Sequence, residues 1–142
     1  MAGEADPNLK TRVGAVIVRE GKLLLIHRRK KGAEYWVLVG GKVEDGETVE
    51  EALVREVKEE TSLDVLSFKK LLEIIQEGRL QVIFECECGN GEPKLGGPEK
   101  EENNEDNWYK PEWVSISKLP QLDKLYPNII TKWAGDWLGH MD

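Results

Sequence analysis

Histidine, cysteine and long apolar runs are scarce in this chain, and each scarcity removes a class of protein. The two histidines are His27, inside a strand pattern, and His140, close to the C-terminus, so a zinc site of ordinary ligand make-up is disfavoured. Cys86 and Cys88 are the two cysteines; two residues apart in an apolar strand pattern they share a face, with no second pair to complete a metal site. They read as ordinary reduced strand cysteines. No apolar run approaches the roughly 18 residues of a membrane span, and the opening MAGEADPNLK lacks the basic-then-apolar order of a secretory signal. The expectation is a cytoplasmic protein with no membrane partner. Positive charge is also short, with 20 Lys and Arg against 27 Asp and Glu for a net charge of −7. That balance argues against a broad basic surface for a nucleic-acid polymer, while a small anion met by a local cation or metal stays open.

What is present suits one domain over residues 1–142, with 39% hydrophobic content for a single core and residues 1–11 as a flexible tail. Residues 12–19 and 22–28 are rich in β-branched and apolar side chains and are joined by Glu20-Gly21, which predicts a hairpin. HRRKKGAEY reads as a connector to the short apolar stretch WVLVGG. Asp45-Gly46 marks a turn, and Thr48 with Glu51 three residues on forms a capping box, so a helix is predicted from about Val49 to about Thr61. Two strands follow at 64–76 and 79–87, joined by Glu77-Gly78, and then a long polar loop over 89–107. Residues 108–116 predict a last strand, 115–122 a helical turn, and 127–138 a helix with Pro127 near its start. Strands mixed with two helices indicate an α/β or α+β domain.

The first helix changes character midway. At about 100° per residue, Val49, Ala52 and Leu53 share a face, and that stripe is expected to continue at 56, 59, 60 and 63. Position 63 is Leu63, but the three before it are Glu56, Glu59 and Glu60. One reading is a solvated patch, with Arg55 and Lys58 as partners. Against it, like charges at i,i+4 cost about 0.2–0.5 kcal/mol per pair, and carboxylates near a helix C-terminus oppose its dipole. The other reading is a hard-cation site: carboxylates on one rigid turn suit Mg²⁺, which takes further ligands from a substrate's phosphates.

These residues, taken with those before them, resemble the signature of the Nudix hydrolase family. It reads here as Gly41, five residues, Glu47, seven residues, Arg55-Glu56, Val57, Lys58, Glu59-Glu60, Thr61, Ser62 and Leu63. Every specified position matches except the second glycine, which is Ser62. The resemblance implies an α/β/α sandwich with a mixed β-sheet and a loop-helix-loop catalytic unit. It implies hydrolysis of a nucleoside diphosphate linked to another group, with Mg²⁺, or Mn²⁺ as a substitute. Its catalytic set falls on Glu59, Glu56, Glu60 and Arg55, and its metal ligands on Glu56, Glu59, Glu60 and the carbonyl of Gly40. Glu47 and Arg55 would brace the loop against the helix, and Gly41 would permit a tight backbone approach to the metal. Ser62 sits where the family glycine ends the helix, often at positive φ, so some loss of stability is expected. Val39 stands where a proline is frequent and would alter only loop stiffness.

The resemblance leaves the general base open: Glu59 ranks first, and Glu99, a substrate-side candidate in the acidic loop, second. Arg28 and Arg29 are candidates for substrate phosphate, against the alternative of a solvated basic turn with Lys30 and Lys31. Trp36, Trp108, Trp113, Trp133 and Trp137 read as packing residues before they read as a base platform. Tyr126 and Asn128 open the last helix, a region that approaches the base in some relatives. Family subclasses carry a tyrosine or proline some 15–18 residues after the signature; GRLQ at 78–81 offers neither, which disfavours dinucleoside polyphosphate and ADP-ribose specialists. The expected protein is therefore a MutT-like nucleoside triphosphate pyrophosphohydrolase, monomeric or homodimeric, acting on small nucleotides. A nucleotide sensor without catalysis is the competing class.

Overall fold

A computed structural model describes residues 10–76, 78–94 and 107–139. In chain order these form β1 (Lys10–Arg19), β2 (Lys22–Lys30), β3 (Ala33–Lys42), α1 (Val49–Thr61), β4 (Val65–Gln76), β5 (Arg79–Cys88), β6 (Asn107–Ser115), a 3-10 helix (Ile116–Gln121), β7 (Leu125–Tyr126) and α2 (Ile129–Gly139). The strands make one mixed sheet in the order β4-β5-β1-β2-β3-β7, with β6 added alongside β2. Pairings β1–β5 and β3–β7 are parallel and the others antiparallel.

Strand alternation builds two cores. Val13, Ala15, Ile17, Leu24, Ile26, Val39, Val82, Phe84 and Cys86 face one side and pack on Ala52, Leu53 and Val57 of α1. The residues between them, Val16, Leu23, Leu25, Leu38 and Ile83, face the other side and pack on Ile116, Leu119, Leu125 and Ile130. A sheet apolar on both faces must be covered on both, which gives the α/β/α sandwich. α1 begins as its sequence directs: the Thr48 hydroxyl accepts from the Glu51 N–H at 3.0 Å, and the Glu51 carboxylate accepts from the Thr48 N–H at 2.9 Å. Such a cap is worth about 1 kcal/mol.

The sheet divides between β1 and β2. β1 and β2 pair only next to their hairpin, at Val18↔Leu23 and Arg19↔Lys22, and then part. β3 crosses between them, lying on β2 from Ala33 to Leu38 and on β1 from Val39 to Lys42.

Several expectations need correction. HRRKKGAEY is not a connector: β2 runs on to Lys30, a tight turn forms at Lys31 (φ 51°) and Gly32 (φ 81°), and β3 starts at Ala33. That pair of positive φ values is the twist-matched hairpin turn also formed at Glu20 and Gly21. Lys10 and Thr11 belong to β1, not to a tail, and residues 1–9 lie outside the described residues. In α1 the buried line is Ala52, Leu53, Glu56, Val57 and Thr61; Glu59 and Glu60 are half-exposed at its side. The segment after β5 is tied down over its first residues, where Arg19 donates to the carbonyls of Gly89 (2.8 Å) and Gly91 (3.1 Å). Residues 95–106, including Glu99, lie outside the described residues, as does His140.

Leu53 is fully buried and Val54, next to it, is 44% exposed. Leu53→Ala is expected to cost about 2–5 kcal/mol in urea denaturation, and Val54→Ala under about 1 kcal/mol. Equal losses would contradict the face assigned to the helix.

Candidate functional site

The site is assembled from the end of β3 and the second half of α1. Gly40 (φ +153°) lies against β1 so closely that a Cβ would run into the carbonyl oxygen of Val13. At Gly41 a Cβ would lie 2.5 Å from Oε2 of Glu56. The missing side chain of Gly41 thus makes room for a carboxylate of α1, a different close approach from the backbone-to-metal one expected.

One cation organises the carboxylates. Nε and Nη2 of Arg55 donate to the two oxygens of Glu47 at 2.7 and 3.0 Å, and Nη2 also donates to the Lys42 carbonyl at 3.0 Å. Nη1 donates to Glu56 at 2.7 Å and to Glu59 at 3.2 Å. Glu60 accepts from the Gly40 N–H at 2.7 Å, so the turn and the glycine pair are joined directly. Hydrogen bonding to Arg55, and then to the Glu44 backbone, holds the Glu47 carboxyl below its ordinary 4.5. The same bond to Glu47 leads the upward shift of the guanidinium. The crowding of like charges noted in the sequence is therefore offset by a guanidinium set among them.

The donor set of three carboxylates on adjacent turns beside a backbone carbonyl has the hard-oxygen chemistry of a divalent-cation site. As the side chains stand, Glu56 and Glu59 turn onto Arg55 and Glu60 onto Gly40. Among the described residues no three carboxylate, histidine or cysteine groups converge on one point.

Ser62 ends α1 in the left-handed region at φ 65°, where its N–H donates to the Lys58 carbonyl at 2.9 Å. Its hydroxyl donates to the Lys94 carbonyl at 2.9 Å, and the Lys94 N–H donates to the Thr61 carbonyl at 2.9 Å. The side chain that replaces glycine thus gains a bond that glycine could not make.

Where β1 and β2 part, a cavity of about 620 Å³ opens beside Gly40. Among the described residues its charged lining groups are Arg12, Arg28, Lys30 and Arg79, with no carboxylate. None of the four is paired with a carboxylate among the described residues. The Arg28 guanidinium lies 4.1 Å over the Tyr109 ring and 5.8 Å from that of Tyr35, and its Nε is buried without a partner. Arg29, its neighbour in the strand, is exposed and does not line the cavity. Tyr126 does, half-exposed and edge-on to Tyr35 at 6.3 Å.

Among the described residues no tryptophan lines this cavity. Trp36 stacks on His27 at 3.9 Å, Trp108 meets the same ring edge-on, and Trp113 lies under Arg19. Trp133 packs against the α2-side core, and the side chain of Trp137 lies outside the described residues. A second cavity, about 590 Å³, is lined by Cys86 and Cys88 but mixes Arg19 and Lys69 with Glu85 and Glu87, so it favours neither sign of ligand. Burial pushes these thiols up to about 12 and 11, which leaves them protonated and unreactive at neutral pH.

Sequence reasoning missed Arg12, Lys30, Tyr35 and Arg79. The available signal was a break in alternation: in RLQV at the start of β5, as in TRV of β1, polar residues occupy the positions that turn apolar further along.

Comparison with known proteins agrees with this geometry. The NUDIX domain family model matches residues 8–133. An ADP-ribose pyrophosphatase from Methanocaldococcus jannaschii is 36% identical over 120 residues, 78% of this chain and 64% of that protein. An oxidized purine nucleoside triphosphate hydrolase from Danio rerio is 35% identical over 112 residues, 74% of this chain and 65% of that protein. The chain thus spans just under two thirds of the length of these relatives. The crystal structure of a MutT NUDIX hydrolase from Burkholderia pseudomallei superposes with a TM-score of 0.62 at 31% identity, covering 88% of this chain and 94% of the other. The chain belongs to the NUDIX family.

A carboxyl held below 4.5 in the fold stabilises the fold above that value, and the stabilisation is lost as pH falls through its folded value. Glu47→Gln is therefore expected to lower the thermal midpoint at pH 7, with the gap to the unaltered chain narrowing between about pH 5 and about pH 3. A gap that ignores pH would show that the ion pair contributes nothing.

Proposed function

We propose that the chain is a Mg²⁺-dependent hydrolase cleaving a phosphoanhydride bond in a nucleoside diphosphate linked to another group, with nucleoside triphosphates as its leading substrates. The observation that carries this reading is the meeting, at Gly40, of a carboxylate-bearing helical turn with a cavity whose charged walls are all cationic. In a chain of net charge −7, four cations gathered at one cleft and unpaired among the described residues focus the field on a small anion.

Glu56, Glu59, Glu60 and the Gly40 carbonyl would hold the ion, with Mn²⁺ as a substitute. When bound it supplies charge neutralisation at the diphosphate and acidifies water. Glu59 is the preferred general base: it is half-exposed, and its contact with Arg55, at 3.2 Å, is the longest of that guanidinium's hydrogen bonds. Glu99 remains the second candidate. Arg28 would donate to substrate phosphate, a reading supported by the ring contacts that hold its guanidinium and by an Nε with no partner among the described residues. The role extends to small nucleotides in the cytoplasm, handled by a monomer or homodimer, with no nucleic-acid polymer or membrane as partner.

A second reading within the class, ADP-ribose hydrolysis, is favoured by the name of the Methanocaldococcus jannaschii relative. A catalytically silent sensor is disfavoured because every signature carboxylate is kept. The test is a panel of nucleoside triphosphates, dinucleoside polyphosphates, ADP-ribose and nucleotide sugars, with Mg²⁺ and with chelator. Turnover that requires metal is expected, highest on triphosphates, with Glu59→Gln lowering kcat by about 10²–10⁴-fold. No metal-dependent turnover on any compound would overturn the hydrolase reading, and full activity in the variant would remove Glu59 as base.

A further inference from the structure

The cavity cations fall into two groups. Arg28 and Lys30 come from the end of β2, opposite Tyr35 and Ala33 of β3, whereas Arg12 lies across from Lys42 at the other end of that strand. From Tyr35 to Lys42 is about 23 Å of strand at about 3.3 Å per residue. One phosphate group cannot engage both sets, so the two ends of the cleft serve different parts of a ligand.

The parallel pairing of β1 with β5 sets Arg12 opposite Gln81 and Gly14 opposite Ile83, and Arg79 precedes Gln81 by two residues. Arg12, Gly14, Arg79 and Gln81 therefore share one sheet face, and all four line the cavity. Gly14 keeps the floor between them flat, since a Cβ there would come within 3.1 Å of Leu38 Cδ1. Beside the flat floor stands the apolar Leu38, while Tyr126, across from Val37 and edge-on to Tyr35, stands toward the Arg28 end. The two ends differ in one chemical respect. The Arg28 end offers only a guanidinium, an ammonium and phenols, as a phosphate needs, while the Arg12 end adds an amide, whose paired donor and acceptor match a base edge.

We infer that Arg12 and Gln81, with Arg79 beside them, read the nucleobase and bias the cleft toward bases whose edge carries ring carbonyls; this rests on the nucleotide-hydrolase reading above. Guanidinium groups have five donors and no acceptor. A 6-oxo purine or 4-oxo pyrimidine presents an acceptor to them. The matching 6-amino or 4-amino base presents a donor to donors, leaving a polar group without a partner in the cleft.

The experiment compares kcat/KM for substrate pairs with identical triphosphates, GTP against ATP and UTP against CTP, in the full chain with Mg²⁺. The unaltered chain is expected to prefer the oxo member of each pair by about tenfold or more. Arg12→Met, which keeps the aliphatic stem, is expected to bring both ratios toward one. Gln81→Glu, nearly isosteric, replaces donors by acceptors and is expected to move both ratios toward the amino base, so a failure of Arg12→Met to fold leaves the question decidable. Ratios unchanged in both variants, or an unaltered chain that favours amino bases or does not discriminate, would overturn the inference and leave the hydrolase reading standing. No turnover of any of the four compounds would overturn the inference together with the triphosphate assignment, and turnover of none of the wider panel would overturn the hydrolase reading as well.

Discussion

A single guanidinium ties together the loop, the strand end and the helix that carry the candidate site's carboxylates. Arg55 reaches a loop carboxylate, the last carbonyl of a strand and two carboxylates of its own helix. Only a planar, permanently charged fork can do all of this at once; a lysine in its place would offer a point charge and lose the two-oxygen grip on Glu47. The consequences run outward. With Glu47 and Lys42 held, the segment between β3 and α1 has one path, and the N-terminus of α1 is set by its capping box at the end of it. With Glu56 held, Gly41 must stay without a side chain. The glycine pair, the loop and the helix are thus parts of one constraint.

That constraint also explains which parts of the site could be read in advance. The carboxylate turn, Glu47 and the glycines lie in one continuous stretch, and their spacing on a helix can be worked out without knowing the fold. Thr48 and Glu51 announced the start of the helix because capping is a local interaction. By contrast, Arg12 and Gln81 are neighbours only through a parallel pairing of strands far apart in sequence, and no local pattern encodes that. The extension of β2 and β3 through HRRKKGAEY escaped notice for a related reason. Arg28, Lys30 and Tyr35 face a polar cavity and Arg29 and Glu34 are exposed, so neither face shows the apolar alternation by which strands are recognised. Lys31-Gly32 carries the same turn signal as Glu20-Gly21, but the basic run around it hides the signal. The two residues of β7 are too short to show any period.

This is an acidic protein with a basic cleft. Its net charge is −7, while among the described residues the four cavity cations are withheld from its carboxylates. Keeping Arg28 without a carboxylate partner costs solvation energy, and the Tyr109 and Tyr35 rings offset part of it by cation–π attraction. A guanidinium positioned by rings has its hydrogen-bonding capacity in reserve, which is what a ligand-binding group requires.

The serine at the end of α1 departs from the family signature, yet it has a mechanical meaning. A glycine there would leave only the backbone bond from Lys94 to the Thr61 carbonyl to tie the helix end to the chain beyond it. Ser62 instead shares a pair of hydrogen bonds with Thr61 across to Lys94, fastening the last turn to the chain that leaves β5. Glu59 and Glu60 stand on that same last turn. The end of the helix and the chain leaving β5 are thus sewn together by one side-chain stitch beside one backbone stitch.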